Sequence, residues 1–140
     1  MAAPDAIANL RAAIYTALNG VITYPVYHIP PSSAGDHVVI DSIRSHETTA
    51  QTWRSFEAYV TLQIISQYQK TGNRTDGYAE AEAIKQALRP TVTGAITVTG
   101  YDVAGCWEDD RYEDLASEGP GKYHRVTLIY FYNLIADSTD

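Results

Sequence analysis

The chain has 140 residues, 45% hydrophobic and 19% charged, a composition typical of one globular domain and unlike that of a disordered segment. Its seventeen acidic and ten basic residues give a net charge of −7, which argues against a general nucleic-acid binder because such proteins neutralise phosphates with clustered lysine and arginine. The single cysteine excludes an intrachain disulfide and a zinc site of the C-x-x-C type.

The first half of the chain predicts one helix followed by three strands. Apolar residues recur after Pro4 at spacings of three and four: Ile7, Leu10, Ile14 and Leu18. This spacing predicts an amphipathic helix, and Gly20 is suited to a left-handed cap at its end. Apolar runs at 21–28 and 38–43 predict two short strands, separated by the loop sequence PPSSAGD. Residues 54–67 alternate between apolar and polar, which predicts an antiparallel strand with one face in the core.

The second half predicts another helix and two more strands. Asp76 can cap a helix whose apolar stripe ends at Leu88, and β-like runs follow at 95–107 and 122–135. The last run is apolar on both faces, so we expect one face to be covered by a helix and the other by a second helix or a neighbouring subunit. The order α-β-β-β-α-β-β predicts a single α+β domain at residues 1–140, in which two helices pack on a mostly antiparallel or mixed sheet.

Acidic residues concentrate between the last two predicted strands. The window from Asp102 to Glu118 contains seven acids and one base, so it carries −6 of the net charge of −7. We expect residues 106–121 to form an acidic loop or the tip of an extended hairpin, and residues 136–140 to form a flexible C-terminal tail. The acidic residues expected to meet a basic partner or to face a polyanion are Glu108, Asp109, Asp110, Glu113, Asp114 and Glu118. These carboxylates could bind Ca²⁺ or Mg²⁺, but the EF-hand pattern is absent, and we predict no metal site.

Histidines and aspartates around the proline-containing loop are the best candidates for chemistry. His28, Asp36, His37 and Asp41 lie close together in sequence, but they lack the helical or tight-turn spacing of known metal sites. Cys106 has no basic neighbour that would activate its thiol, and neither a nucleophile motif nor a glycine-rich phosphate loop is present. We therefore predict a protein that is not an enzyme and needs no cofactor. A small α+β enzyme or ligand-binding domain using His28, Asp36 and His37 is the alternative.

No apolar stretch reaches the length of a signal-peptide core or a membrane-spanning helix. We therefore expect a protein that has no membrane partner and is made in a cytoplasm.

Four segments, taken in order, resemble a known family. They are the helical AIANLRAAIYTAL, the loop and strand VYHIPPSSAGDHVVID, the long strand RSFEAYVTLQIISQY and the helical AEAEAIKQAL. A strand, a variable loop and a final strand follow. Together these segments resemble the tail terminator, or tail-completion, proteins of long-tailed bacteriophages and prophages, over roughly residues 7–135.

The resemblance implies a structural role in a virion. Such proteins form a ring, commonly of six subunits, which caps the head-proximal end of the tail tube, ends its polymerisation and presents a surface to the head connector. The implied partners are other copies of the chain, the tail tube protein, the head-completion or connector protein, and genomic DNA that passes without specific binding. The implied location is the virion tail, assembled in the host cytoplasm. Another head–tail connector or tail-assembly component is a second alternative.

Tyrosine is the most overrepresented residue type, with eleven in the chain, and it is favoured at protein interfaces. The residues that we predict at a subunit or partner interface are Tyr27, His28, Pro30, Pro31, His37, Tyr59, Tyr130 and Tyr132.

Overall fold

Two helices and five strands make up the fold in the computed structural model, which describes residues 6–29, 36–49, 54–67, 76–88, 96–118 and 121–136. The elements are α1 (Ala6–Leu18), β1 (Val26–Tyr27), β2 (His37–Thr49), β3 (Arg54–Gln67), α2 (Asp76–Leu88), β4 (Tyr101–Glu118) and β5 (Gly121–Ala136). The predicted α+β class and the element order α-β-β-β-α-β-β are confirmed. Neither helix in these ranges is long and apolar enough to cross a membrane.

The five strands form one mixed sheet in the order β1-β2-β3-β5-β4. The short strand β1 is parallel to β2, and every other neighbouring pair is antiparallel. Both helices pack on the same face of this sheet, α1 against β2 and α2 against β3 and β5. On that face the guanidinium of Arg11 donates a hydrogen bond from Nη1 to the carbonyl of Ile40, 2.8 Å away.

The hydrophobic core lies between the two helices and the sheet face that they cover. Three of the four residues in the apolar stripe predicted for α1 are fully buried there, namely Leu10, Ile14 and Leu18, whereas the fourth, Ile7, is 38% exposed. Alternate residues of β5 meet it from the sheet: Val126, Leu128, Tyr130, Tyr132 and Leu134. Because successive strand residues point to opposite faces, every second residue of this run enters the same core. The expectation that a helix covers one face of the last apolar run is confirmed by the burial of Val126, Leu128 and Tyr130.

The end of α1 has the geometry predicted for Gly20. This glycine adopts a left-handed conformation with φ of 79°, and the amide of Ile22 donates to the carbonyl of Leu18 at 3.2 Å. A residue with a Cβ atom is strained at this φ, so glycine allows the chain to leave the helix sharply and enter β1.

The acidic segment differs from the loop that composition suggested. Strand β4 does not end near residue 107 but continues to Glu118, and Glu118 pairs with Gly121 at the start of β5. Residues 106–118 therefore belong to a strand. Of the two expectations for this segment, an acidic loop or an extended hairpin, the hairpin describes them. A strand at the edge of a sheet can carry many charges because one backbone edge and alternate side chains remain in solvent. Residues 137–140 of the expected flexible tail lie outside the described part of the chain.

Two β-bulges shift the register of β4 against β5, one between Val103 and Gly105 and one between Glu108 and Asp110. The second inserts one extra residue, so Glu108 pairs with the core residue Tyr130 while Asp110 pairs with Ile129, whose side chain lies on the opposite face.

Candidate functional site

One face of the sheet carries no helix within the described ranges. We call it the open face and define it by Arg44, Tyr59, Phe131 and Trp107, which are cross-strand neighbours on β2, β3, β5 and β4. The sequence had suggested a second cover for β5 by a helix or a neighbouring subunit. Both helices lie on the other face, so α1 and α2 do not provide that cover.

Three of these four residues form a row of contacting rings across the sheet. The ring of Tyr59 meets Phe131 edge-on at 5.2 Å between centroids, and Trp107 stacks on Phe131 at 4.2 Å. Phe131 is 7% exposed because it lies between the other two rings, whereas Trp107 is 47% exposed. Tyr112, two rows further along β4 on the same face, is 51% exposed. Exposed aromatic side chains of this kind are frequent contributors to protein interfaces.

Sequence reasoning placed Tyr59 at an interface and missed Trp107. The open face includes Tyr59, but Trp107 stood at the predicted end of a strand, so its face could not be assigned. Tyr130 and Tyr132 were predicted at an interface, and that prediction needs correction. Both are 0% exposed, because they lie on the helix-covered face of β5. Burial raises the pKa of each of these hydroxyls well above its ordinary value.

The histidines near the proline-containing loop pack separately. His28 is exposed and stacks on Tyr15 of α1 at 4.7 Å between ring centroids. His37 is buried and meets the edge of Tyr27 at 5.9 Å. Within the described residues no group of His, Cys, Asp or Glu side chains is arranged to hold a metal ion. Pro30 and Pro31, also predicted at an interface, lie outside the described residues.

The acidic residues of β4 divide between the two faces of the strand. On the helix side, Glu108 pairs with Arg111 at 2.7 Å between Oε1 and Nη2, and the same guanidinium reaches Glu82 of α2 at 3.0 Å. On the open side, Asp114 accepts a hydrogen bond from Nε of Arg125 at 2.9 Å, and this contact lowers the pKa of the Asp114 carboxyl. Asp109 and Asp110, at the bulge, are exposed. The side chain of Glu118 lies outside the described part.

A second polar cluster lies under the first turn of α2. Nε2 of the buried His124 is 2.6 Å from Oε2 of Glu113, and that oxygen also accepts a hydrogen bond from the hydroxyl of Tyr78. The bonds from Tyr78 and His124 hold the pKa of the Glu113 carboxyl below its ordinary value. Because Nε2 donates to the carboxylate, Nδ1 of a neutral His124 is an acceptor, and it has no hydrogen-bond partner in the described chain. Of these three residues, the sequence pointed only to Glu113 as a candidate for contact with a partner, since Tyr78 and His124 lie on other elements.

A groove of about 610 Å³ runs between α1, the end of α2 and residues 96–99. Its described lining is uncharged and consists of Asn9, Ala12, Ala13, Thr16, Ala17, Val21, Ala87, Ile96, Thr97 and Thr99. No titratable side chain is part of that described lining.

Comparison with known proteins gives a likeness in structure. No protein-family model matches the chain, and no curated protein is similar to it in sequence. A chain in the solved structure of the virion of a native gene transfer agent particle superposes with a TM-score of 0.74. The match covers 94% of this chain and 98% of that chain at 20% sequence identity. At this identity, the likeness establishes that the two chains share a fold over nearly their whole lengths.

Proposed function

We propose that this protein is a structural component of a phage-like virion, and specifically that it caps the head-proximal end of the tail tube as a ring. The observation that carries the proposal is the fold shared with a chain of the gene transfer agent virion over 94% of this protein. The order of helix, loop, strand and helix segments, which resembles tail terminator proteins, supports the same role. In this role the protein ends polymerisation of the tube and presents a surface to the head connector.

The open face supports a role in assembly. A sheet face in a monomer that functions alone is usually covered or polar, because exposed apolar surface costs free energy. Here the row of Tyr59, Phe131 and Trp107 crosses three strands, and Trp107 and Tyr112 remain half exposed. A subunit or tube contact on this face would remove those rings from water.

The acidic strand supports the passage of DNA without binding. Asp109 is exposed on β4, and the chain carries a net charge of −7. Like charge on the wall of a conduit repels the phosphate backbone, so DNA moves past without being held. In this proposal the partners are other copies, the tail tube protein, the head-completion protein and the transiting genome, and the protein acts without enzymatic chemistry or a cofactor.

Deletion of the gene for this protein from the genome that encodes the particle tests this function. Without a terminator, tail tubes should vary widely in length and fail to join heads, and a plasmid copy should restore both properties. Electron microscopy of gold-labelled particles should place the protein at the head-proximal end of the tail. Tails of normal length attached to heads in the deletion strain would contradict the proposal.

A second candidate is another head–tail connector or tail-assembly component. The fold shared with a virion chain supports this candidate equally, because the likeness concerns the particle and not a named part of it. The same two experiments separate the candidates. A labelled connector lies on the head side of the joint, and deletion of a connector leaves the length of the tail tube unchanged.

A further inference from the structure

Two opposite charges stand at opposite margins of the open face. Arg44 of β2 is exposed and forms no ion pair within the described residues. Asp110 of β4 is exposed, and its carboxylate accepts only the backbone amide of Arg111, at 2.8 Å, so it pairs with no cation in the same described ranges. Arg44 lies in the row that ends at Trp107, and Asp110 lies in the next row of the same face.

Both margins are also edges of the sheet. Strand β1 pairs only with Val38 and Val39, so the outer edge of β2 from Ile40 onward has no partner strand in the described chain. Strand β4 is the last strand in the order of the sheet, so its outer edge also has no partner strand in the described chain. Open edges and unpaired charges at both margins allow a contact in which the β2 margin of one copy meets the β4 margin of the next.

Charge favours this unlike pairing over a symmetric one. A two-fold contact centred on the bulge of β4 would bring the exposed Asp109 and Asp110 of both copies together, and like charges across an interface are repulsive. In the unlike pairing, Arg44 of one copy approaches Asp110 and the exposed ring of Trp107 in the other, which provides an ion pair and a cation–π contact. A contact between two different surfaces repeats from copy to copy and closes into a ring when the rotation allows.

We infer that the ring contact joins the Arg44 margin of one subunit to the Asp110 and Trp107 margin of its neighbour. This inference rests on the proposed ring and assigns the surfaces that build it. The partner is a second copy of this chain.

Charge reversal at the two positions tests the assignment by sedimentation velocity of the purified full-length protein. Arg44→Glu and Asp110→Arg should each raise the concentration at which rings form by about tenfold or more, because each places like charges at the contact. The double variant should regain assembly.

An equimolar mixture of the two single variants should also assemble. The glutamate introduced in one variant then faces the arginine introduced in the other, and the alternate contact keeps the natural pair of Arg44 and Asp110. Lys85→Glu on α2, a charge reversal of the same size on the helix side, is the control and should assemble as the wild type does.

The outcomes separate this contact from the proposed function. Rings that form equally well in both single variants, or a double variant and mixture that stay dissociated while their thermal unfolding matches the wild type, would overturn the contact and leave tube capping in place. A wild-type protein that remains monomeric at high concentration and on purified tail tubes would overturn both. Wild-type rings that form through this contact but fail to stop tube growth would retain the contact and refute the terminator role.

Discussion

Trp107 of β4 lies almost flat on Phe131 of β5, with 4.2 Å between the ring centroids and 26° between the ring planes. Phe131, which also contacts Tyr59, is only 7% exposed, whereas Trp107 keeps 47% of its surface exposed. One stacked pair therefore joins a residue that stabilises the monomer to a residue that remains available to a partner.

Alanine replacement should separate these two properties. Phe131→Ala removes a buried ring and should lower the free energy of unfolding by about 3–5 kcal/mol. Trp107→Ala removes only the stacked contact and should cost about 0.5–1.5 kcal/mol, while weakening self-association more strongly than this small loss suggests. Urea unfolding measures the first quantity and sedimentation velocity the second. Equal losses of stability in the two variants would show that Trp107 is a core residue instead.

Leu128 lies at the centre of β5 on the helix-covered face and is fully buried. Leu128→Ala leaves a cavity beneath the helices, so we expect the free energy of unfolding to fall by about 2–5 kcal/mol. The adjacent Ile129, half buried on the open face, is the matched control, and Ile129→Ala should cost less. A loss below about 0.5 kcal/mol at Leu128 would be incompatible with its place in the core.

The hydroxyl of Tyr130 is buried and has no hydrogen-bond partner in the described chain. Removing a buried polar group that is unsatisfied is close to neutral or stabilising, because its desolvation is not offset by a bond. We expect Tyr130→Phe to leave the free energy of unfolding unchanged or to raise it by up to about 1 kcal/mol. Chemical denaturation beside the wild type measures this, and a loss of more than about 1 kcal/mol would indicate that the hydroxyl is bonded, for instance to a buried water.

Glu113 should make the protein sensitive to acid. Its carboxyl has a pKa below the ordinary 4.5 because Tyr78 and His124 donate to it. A lowered pKa in the folded state contributes stability above pH 4.5, and that contribution disappears as the pH falls through the lowered value. The melting temperature of Glu113→Gln should therefore fall less than that of the wild type between about pH 5 and about pH 3.

The matched control for this pH test is Asp109→Asn, which removes an exposed carboxylate from the same strand. It should keep the acid sensitivity of the wild type. If Glu113→Gln and the wild type lose melting temperature in parallel, the contact with Tyr78 and His124 makes no measurable contribution to stability.

The sequence predicted those parts of the fold that depend on local periodicity. The spacing of Leu10, Ile14 and Leu18 is enough to define a helix face, and Gly20 marks the end of that helix. Alternation likewise grouped alternate residues of β5 on one face, Leu128 among them. These signals are strong because residues on one face of a helix or strand are only two to four positions apart in sequence.

Features that depend on pairing between distant segments could not be predicted in this way. The acidic part of β4 has little β propensity, and only its partner β5 makes it a strand. Tyr130 and Tyr132 were assigned to an interface because alternation separates two faces without revealing which one the helices cover. The contact of His124 with Glu113 and Tyr78 joins three elements, so it cannot be predicted from the spacing of residues within any one of them.

The bulge between Glu108 and Asp110 sets which side chains in the rest of β4 face the helices. One extra residue places Asp110 and Tyr112 on the open face and leaves Arg111 beside Glu82 of α2. If the same sequence alternated strictly from Glu108 onward without a bulge, these faces would be exchanged, so that Arg111 turned outward and Tyr112 turned toward α2. Loss of the one extra residue would instead give a regular strand and keep each following side chain on its present face, so relatives that lack this residue should still share the ring contact.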